Sequence, residues 1–249
     1  MKLLVYLLLG LSLSFAQSCK KEVEPGNSGP TANQSTSQNK IMPLGASRVD
    51  GAPPAYDSYR YELWKLLKDG GYDFDFVGTV ADGHSYNQHN GMTFDPDHEG
   101  RGGITAAEIR NQLPGWLDEG GAPDIVLFSS PGGNDFLGGA SIQPVIADVN
   151  AIIDILQSYN PNVTIIIEKM APGDAATMTQ QFTATYNAVL QEVDNLAQQQ
   201  TTTSSSVIVV DMSTGFNASQ HLADDVHYNA AGALFIANQY YEVLQGILQ

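Results

Sequence analysis

The sequence predicts an α/β fold: a three-layer α/β/α sandwich around a central, mostly parallel five-stranded sheet. Two observations carry this. From residue 40 onward, short apolar runs alternate with longer stretches of helical periodicity, which implies a parallel sheet covered by helices on both faces. Some runs, such as Ile125-Val126-Leu127-Phe128, are apolar without any alternation, the mark of a strand buried on both sides.

The first strand lies near residues 40–45 and breaks at Gly45-Ala46-Ser47, which leaves a serine at the tip of a turn. Asp57 or Ser58 can cap a helix that carries Tyr59, Leu63, Leu66 and Leu67 on one face and stops at Gly70-Gly71. Residues 72–78 alternate polar and aromatic side chains and read as the second strand. Residues 79–103, rich in Gly, His, Asn and Asp, read as a long irregular connection of a length that is often functional. Thr105 and Glu108 form a capping-box pattern, so a helix is expected to start directly after Gly102-Gly103. Residues 124–130, 163–168 and 207–211 supply the remaining strands. Helices are expected from the stripes Ile142, Val145, Ile146, Val149, Ile152, Ile153, Leu156 and Phe182, Tyr186, Val189, Leu190, Val193, with a closing helix over 230–248. In sheets of this kind, ligands collect beyond the carboxyl ends of the strands.

Ahead of this domain (residues 40–249), residues 1–18 have the form of a secretory signal, with Lys2 before a short apolar run. The run gives way to Cys19, the single cysteine of the chain, in the manner of a bacterial lipoprotein signal whose cysteine is lipidated. Gln17 departs from the small residue usual before that cysteine, and conventional cleavage at a nearby bond is the alternative. Residues 19–39 are polar and rich in Gly, Pro, Ser and Asn, as expected of a disordered tether. The expected location is therefore the bacterial cell envelope, through a membrane anchor at Cys19, or secretion. A formal charge of −16 excludes the basic surface that nucleic-acid binding requires.

Three later stretches complement the serine: Arg101-Gly102-Gly103-Ile104-Thr105, Gly132-Gly133-Asn134-Asp135 and Asp224-Asp225-Val226-His227. Acyl transfer needs a nucleophile, a base, a group that orients the base, and donors for an oxyanion. Ser47 can be the nucleophile, His227 the base and Asp224 the orienting acid, with Asp225 the competing carboxylate. Oxyanion donors are expected from the Ser47 and Gly103 N–H groups and the Asn134 amide. Arg48 and Arg101 are candidates to bind a carboxylate on an acidic sugar. His84, His89 and His98 with Asp82, Asp95, Asp97 and Glu99 match no metal-ligand spacing, and no metal or other cofactor is called for.

The order Ser47, Gly103, Asn134, His227 resembles the four blocks of the SGNH (GDSL-type) hydrolases. Further stretches at 41–45, 58–64, 76–78 and 97–100 resemble the branch that holds the family-three carbohydrate esterases, which are acetylxylan-type deacetylases. The resemblance covers residues 41–248 and implies a flavodoxin-like SGNH fold and a serine esterase acting on acetyl or other short acyl esters of carbohydrate through an acyl-enzyme. Ala46 departs from the family, where Gly-Asp-Ser is usual. Two rival readings are a lipid-directed esterase, lysophospholipase or thioesterase, and a non-catalytic carbohydrate-binding protein on the same scaffold.

Overall fold

The computed structural model describes residues 37–248. The signal over 1–18, Cys19 and residues 19–36 of the expected tether lie outside the described residues. The elements follow one another as β1 (Lys40–Gly45), α1 (Ser47–Asp50), α2 (Arg60–Asp69), β2 (Asp75–Phe76), β3 (Val80–Ala81), β4 (Asp97–Gly100), α3 (Ala106–Gly120) and β5 (Ile125–Phe128). They continue as α4 (Gly133–Leu137), α5 (Ile142–Tyr159), β6 (Thr164–Lys169), α6 (Gln180–Gln200), β7 (Val207–Asp211), α7 (Ala218–His221) and α8 (Ala230–Leu244).

The sheet runs β3-β4-β1-β5-β6-β7, and β2 also pairs with β1. All pairs are parallel except β3 with β4. The five strands of four or more residues, β4, β1, β5, β6 and β7, thus follow the flavodoxin-like order, in which the direction of winding reverses at the first strand. One core cluster joins the sheet to α3, α5 and α6, and the other joins it to α1, α2 and α8, giving the expected three layers. Ile125, Val126, Leu127 and Phe128 are all buried, two on each cluster, as their unbroken apolar run predicts. The capping box forms in full: the Thr105 side chain accepts from the Glu108 N–H and Glu108 accepts from the Thr105 N–H.

The second strand corrects the expectation. Only Asp75 and Phe76 of the 72–78 stretch pair with β1, opposite Lys40 and Ile41. Beyond them, Glu99 and Gly100 of β4 take over, opposite Leu44 and Gly45. The 79–103 connection, expected to be irregular, therefore contains β3 and β4, and the sheet has seven strands rather than five. Asp97-His98-Glu99-Gly100 does not read as a strand because its buried side chains are polar. Glu99 pairs with Arg101 and accepts from the Thr79 N–H, which neutralises a carboxylate inside the fold.

His98 is fully buried; its Nδ1 accepts from the Gly100 N–H at 2.9 Å, and its Nε2 has no partner among the described residues. Burial, reinforced by the positive charges of Arg60 and Arg101, pushes its pKa down to about 3 from 6.5. Between those values the unfolded chain binds a proton that the folded chain refuses. The stability due to His98 is thus complete above pH 6.5 and is lost progressively as pH falls from 6.5 through 3, by on the order of 5 kcal/mol. Asp95, raised to about 6 mainly by burial, acts in the opposite sense, losing stability as pH rises from 3.8 through 6. Asparagine at position 98 keeps an acceptor near Nδ1 and cannot be protonated. His98→Asn is therefore expected to lose less stability than the wild type between pH 7 and 4.5, measured by urea midpoints; parallel pH slopes would rule out His98 as the sensor.

Candidate active site

Ser47 follows β1 and Asn134 follows β5, so both stand at the carboxyl ends of the two strands that flank the reversal in strand order. The chain can turn sharply here because Gly45 packs against β5: a Cβ on it would lie 2.8 Å from the Ser129 carbonyl oxygen. The Ala46 carbonyl then accepts from the Val49 and Asp50 N–H groups, each at 3.0 Å, which closes α1 with Ser47 as its first residue. These bonds are backbone only, so the turn forms without the carboxylate usual at position 46.

The histidine arrives from the other end of the chain, on the segment between α7 and α8. Its Nε2 lies 2.9 Å from Ser47 Oγ and its Nδ1 lies 2.7 Å from Asp224 Oδ2. The other carboxylate oxygen of Asp224 accepts from the N–H groups of Val226 (2.9 Å) and His227 (2.8 Å), so the acid also builds the turn that presents the imidazole. Burial raises the Asp224 pKa, but these backbone bonds and the bond from His227 outweigh it, and the carboxyl lies below its ordinary value. Asp225 is exposed and makes no side-chain bond in this relay.

Tyr56 stacks on the His227 ring with centroids 3.9 Å apart and planes 14° from parallel. Its loop is tied to the histidine segment by the Asp57 N–H, which donates to the Tyr228 carbonyl at 2.8 Å. Sequence reasoning missed Tyr56, since nothing local connects it to a residue 171 positions later.

The proposed oxyanion donors are held by their own bonds. The Asn134 amide donates to the Ile104 carbonyl at 2.8 Å, leaving its second N–H for another acceptor. Asp135 accepts from the Ala106 N–H at 2.9 Å, so α4 is pinned to the start of α3 at two points. Gly103 is exposed in the turn between β4 and α3, and that turn is fixed by the Gly102 N–H on Asp50 Oδ2 (3.0 Å) and the Arg101 N–H on the Gly45 carbonyl (3.1 Å). Ser47, Ile104 and Asn134 line a common cavity of about 60 Å³; Gly103 does not line it.

Both arginine expectations are corrected: neither side chain is free for a substrate carboxylate. Arg48 is buried and donates to the carbonyls of Val226 (2.9 Å), Ala171 (2.9 Å) and Pro172 (3.5 Å) and to Ser130 Oγ (3.3 Å), with its guanidinium over the Tyr228 ring. Arg101 pairs with Glu99, donates to Thr79 Oγ1 at 2.9 Å and lies 3.7 Å over the Trp116 ring. Sequence reasoning also missed Glu168, fully buried behind the site. Its Oε2 accepts from the Ser129 hydroxyl (3.0 Å), the Ser130 N–H (2.7 Å) and the Ser130 hydroxyl (3.3 Å), and its Oε1 accepts from Tyr240 (2.8 Å). Of the histidines and carboxylates in that connection, Asp82 pairs with Arg60 and His89 with Asp69. Among the described residues no group of three or more His, Cys, Asp or Glu is arranged to hold a metal ion.

A half-buried serine hydroxyl, an imidazole and a carboxylate in one hydrogen-bonded line form the arrangement that acyl transfer uses. The sequence model of the GDSL-like Lipase/Acylhydrolase family matches residues 76–234, a span that includes Gly103, Asn134, Asp224 and His227. The chain belongs to this family. Ser47 precedes the matched span, but the likeness to solved structures covers most of the chain. A carbohydrate esterase family 3 protein from Talaromyces cellulolyticus is 32% identical with a TM-score of 0.71, over 84% of this chain and 97% of that one. An acetyl esterase mutant with an acetate ion is 31% identical with a TM-score of 0.72, over the same shares. A multidomain esterase of Ruminococcus flavefaciens is 29% identical over 98% of this chain, which spans only 33% of that relative's length. This GDSL-family chain is thus an esterase or acylhydrolase of the serine hydrolase type, close to carbohydrate esterases.

Proposed function

We propose that this serine hydrolase removes acetyl or other short acyl groups from carbohydrate through an acyl-enzyme. The observation that carries the reading is the continuous relay from Asp224 through His227 to Ser47, at 2.7 and 2.9 Å. Ser47 Oγ attacks the ester carbonyl as His227 Nε2 takes its proton, and Asp224 holds the imidazole in the tautomer that can accept it. The Ser47 and Gly103 N–H groups and the free Asn134 N–H receive the charge on the tetrahedral oxygen. His227 then protonates the leaving sugar hydroxyl and activates a water for deacylation. The acylated carbohydrate is suggested by the carbohydrate esterases among the similar structures. In this reading the enzyme is exported and held at the cell envelope through lipidated Cys19, and no cofactor takes part.

The test is acetate release from a panel of acetylated glycans, with Ser47→Ala as the blank. Release by the wild type and none above background by the variant is the expected result. Release that persists in Ser47→Ala would overturn the mechanism.

A further inference from the structure

The cavity at Ser47 has a side and a composition that bear on which acyl group it takes. During acyl transfer the imidazole must protonate the leaving oxygen, so the alcohol half of the ester lies on the His227 side of the nucleophile. His227, Asp224 and Tyr56 do not line the cavity. Its walls come mostly from the start of α3, α4, the segment after β6 and α6, on the α3/α5/α6 side of the sheet, with the β1–α1 turn and Val226, next to His227, completing them. The cavity is therefore placed for the acyl half.

Its deep wall is apolar and fixed. Ile104, Ile109 and Met170 are buried there, and the Tyr186 hydroxyl donates to the Met170 carbonyl at 2.7 Å, which locks α6 against the segment after β6. Phe182 adds a half-buried ring, and Ala46 presents a methyl where the family usually has a carboxylate. A water-sized group needs roughly 10–15 Å³ of such space, and the cavity offers about 60 Å³. That is room for about four such groups, whereas an acetyl group brings a single methyl beyond its carbonyl. The lining also reaches the surface: Leu137, which lines the same cavity, is 46% exposed, one of three large hydrophobic residues so exposed among the described residues.

We infer that the cavity is an acyl pocket for linear chains of four to six carbons, so that the enzyme prefers butanoyl to hexanoyl esters over acetyl esters. The inference rests on Ser47 as the nucleophile. Each methylene moved from water into the pocket should raise kcat/KM about fourfold, the factor that follows from about 0.8 kcal/mol per buried CH₂.

The measurement is kcat/KM of the full-length protein for p-nitrophenyl esters of straight-chain acids from two to ten carbons, with one leaving group throughout. The expected profile rises about fifteenfold from acetate to butanoate, peaks by hexanoate and then declines. Leu137→Asp, at a surface position, should lower the hexanoate-to-acetate ratio several-fold. Acetate as the best ester, or an unchanged ratio in Leu137→Asp, would overturn the acyl-length inference while leaving the nucleophile in place. Hydrolysis of the whole series by Ser47→Ala would instead remove the nucleophile assignment, and this inference with it.

Discussion

Asp224→Asn is expected to lower kcat by about 10⁴ while leaving the fold almost as stable as the wild type. The split follows from the two jobs of the two carboxylate oxygens. Oδ1 accepts the Val226 and His227 N–H bonds that build the turn, and a carboxamide oxygen can do the same. Oδ2 accepts from His227 Nδ1 at 2.7 Å, and an NH₂ group in its place can only donate. The imidazole would then carry its proton on Nε2, facing Ser47, and could not take the serine proton. A Tm within about 2 °C of wild type together with the 10⁴ loss is the predicted pair of readings. Asp224→Ala gives the contrast, because it removes the turn bonds as well and should also reduce stability. If Asp224→Asn kept wild-type kcat, the carboxylate would not be the orienting group, and Asp225 would become the residue to replace.

What could be read from the sequence was what is local or periodic. The β5 run, the α5 stripe and the Thr105–Glu108 capping box each declare themselves within a few residues, and each forms as expected. The Asp224–His227 bond was legible for the same reason, since both partners sit in one turn. That Ser47 meets His227 across 180 positions was reached through the order of the blocks and not through any local signal. The strand β4 was hidden because its burial is paid for by ion pairing instead of apolar side chains. Arg48 and Glu168 were misread or missed for a related reason: their partners lie far along the chain, with Val226 178 positions from Arg48 and Tyr240 72 from Glu168. Position 46 shows the converse. The missing carboxylate looks damaging in the motif, yet the turn there is closed by the Ala46 carbonyl, which any residue supplies.

Arg48→Met is expected to destabilise the protein by about 3–5 kcal/mol, which for this size corresponds to a Tm lower by roughly 10 °C. The methionine can occupy the stem of the arginine but supplies no donors. Three carbonyls, on Val226, Ala171 and Pro172, lose a charged partner, and a positive charge disappears near the buried Glu168 carboxylate. Arg48 reaches that carboxylate through one hydroxyl: its Nη1 donates to Ser130 Oγ, which in turn donates to Glu168 Oε2. Burial raises the Glu168 pKa above its ordinary value, against the bonds from Tyr240 and Ser130 and the charge of Arg48; without Arg48 the carboxylate keeps its hydrogen bonds but loses its nearby positive charge and is pushed further up. Activity should fall too, because Val226 immediately precedes His227 and its carbonyl is one of the points that fix the histidine segment. A loss of about 10–10² in kcat is the expected size for a catalytic group released by a fraction of an ångström to 1 Å. Neutralising the carboxylate separates the two effects. In Arg48→Met/Glu168→Gln the amide oxygen can still accept from Ser129 and Ser130, and its NH₂ can donate to a reoriented Tyr240 hydroxyl, so much of the lost stability should return. The kcat should not return, because Val226 still lacks its donor. Additive stabilities in this double-mutant cycle would show that the two charges do not sense each other through Ser130. A rescued kcat would show that Arg48 acts on the charge behind the site and not on the histidine segment.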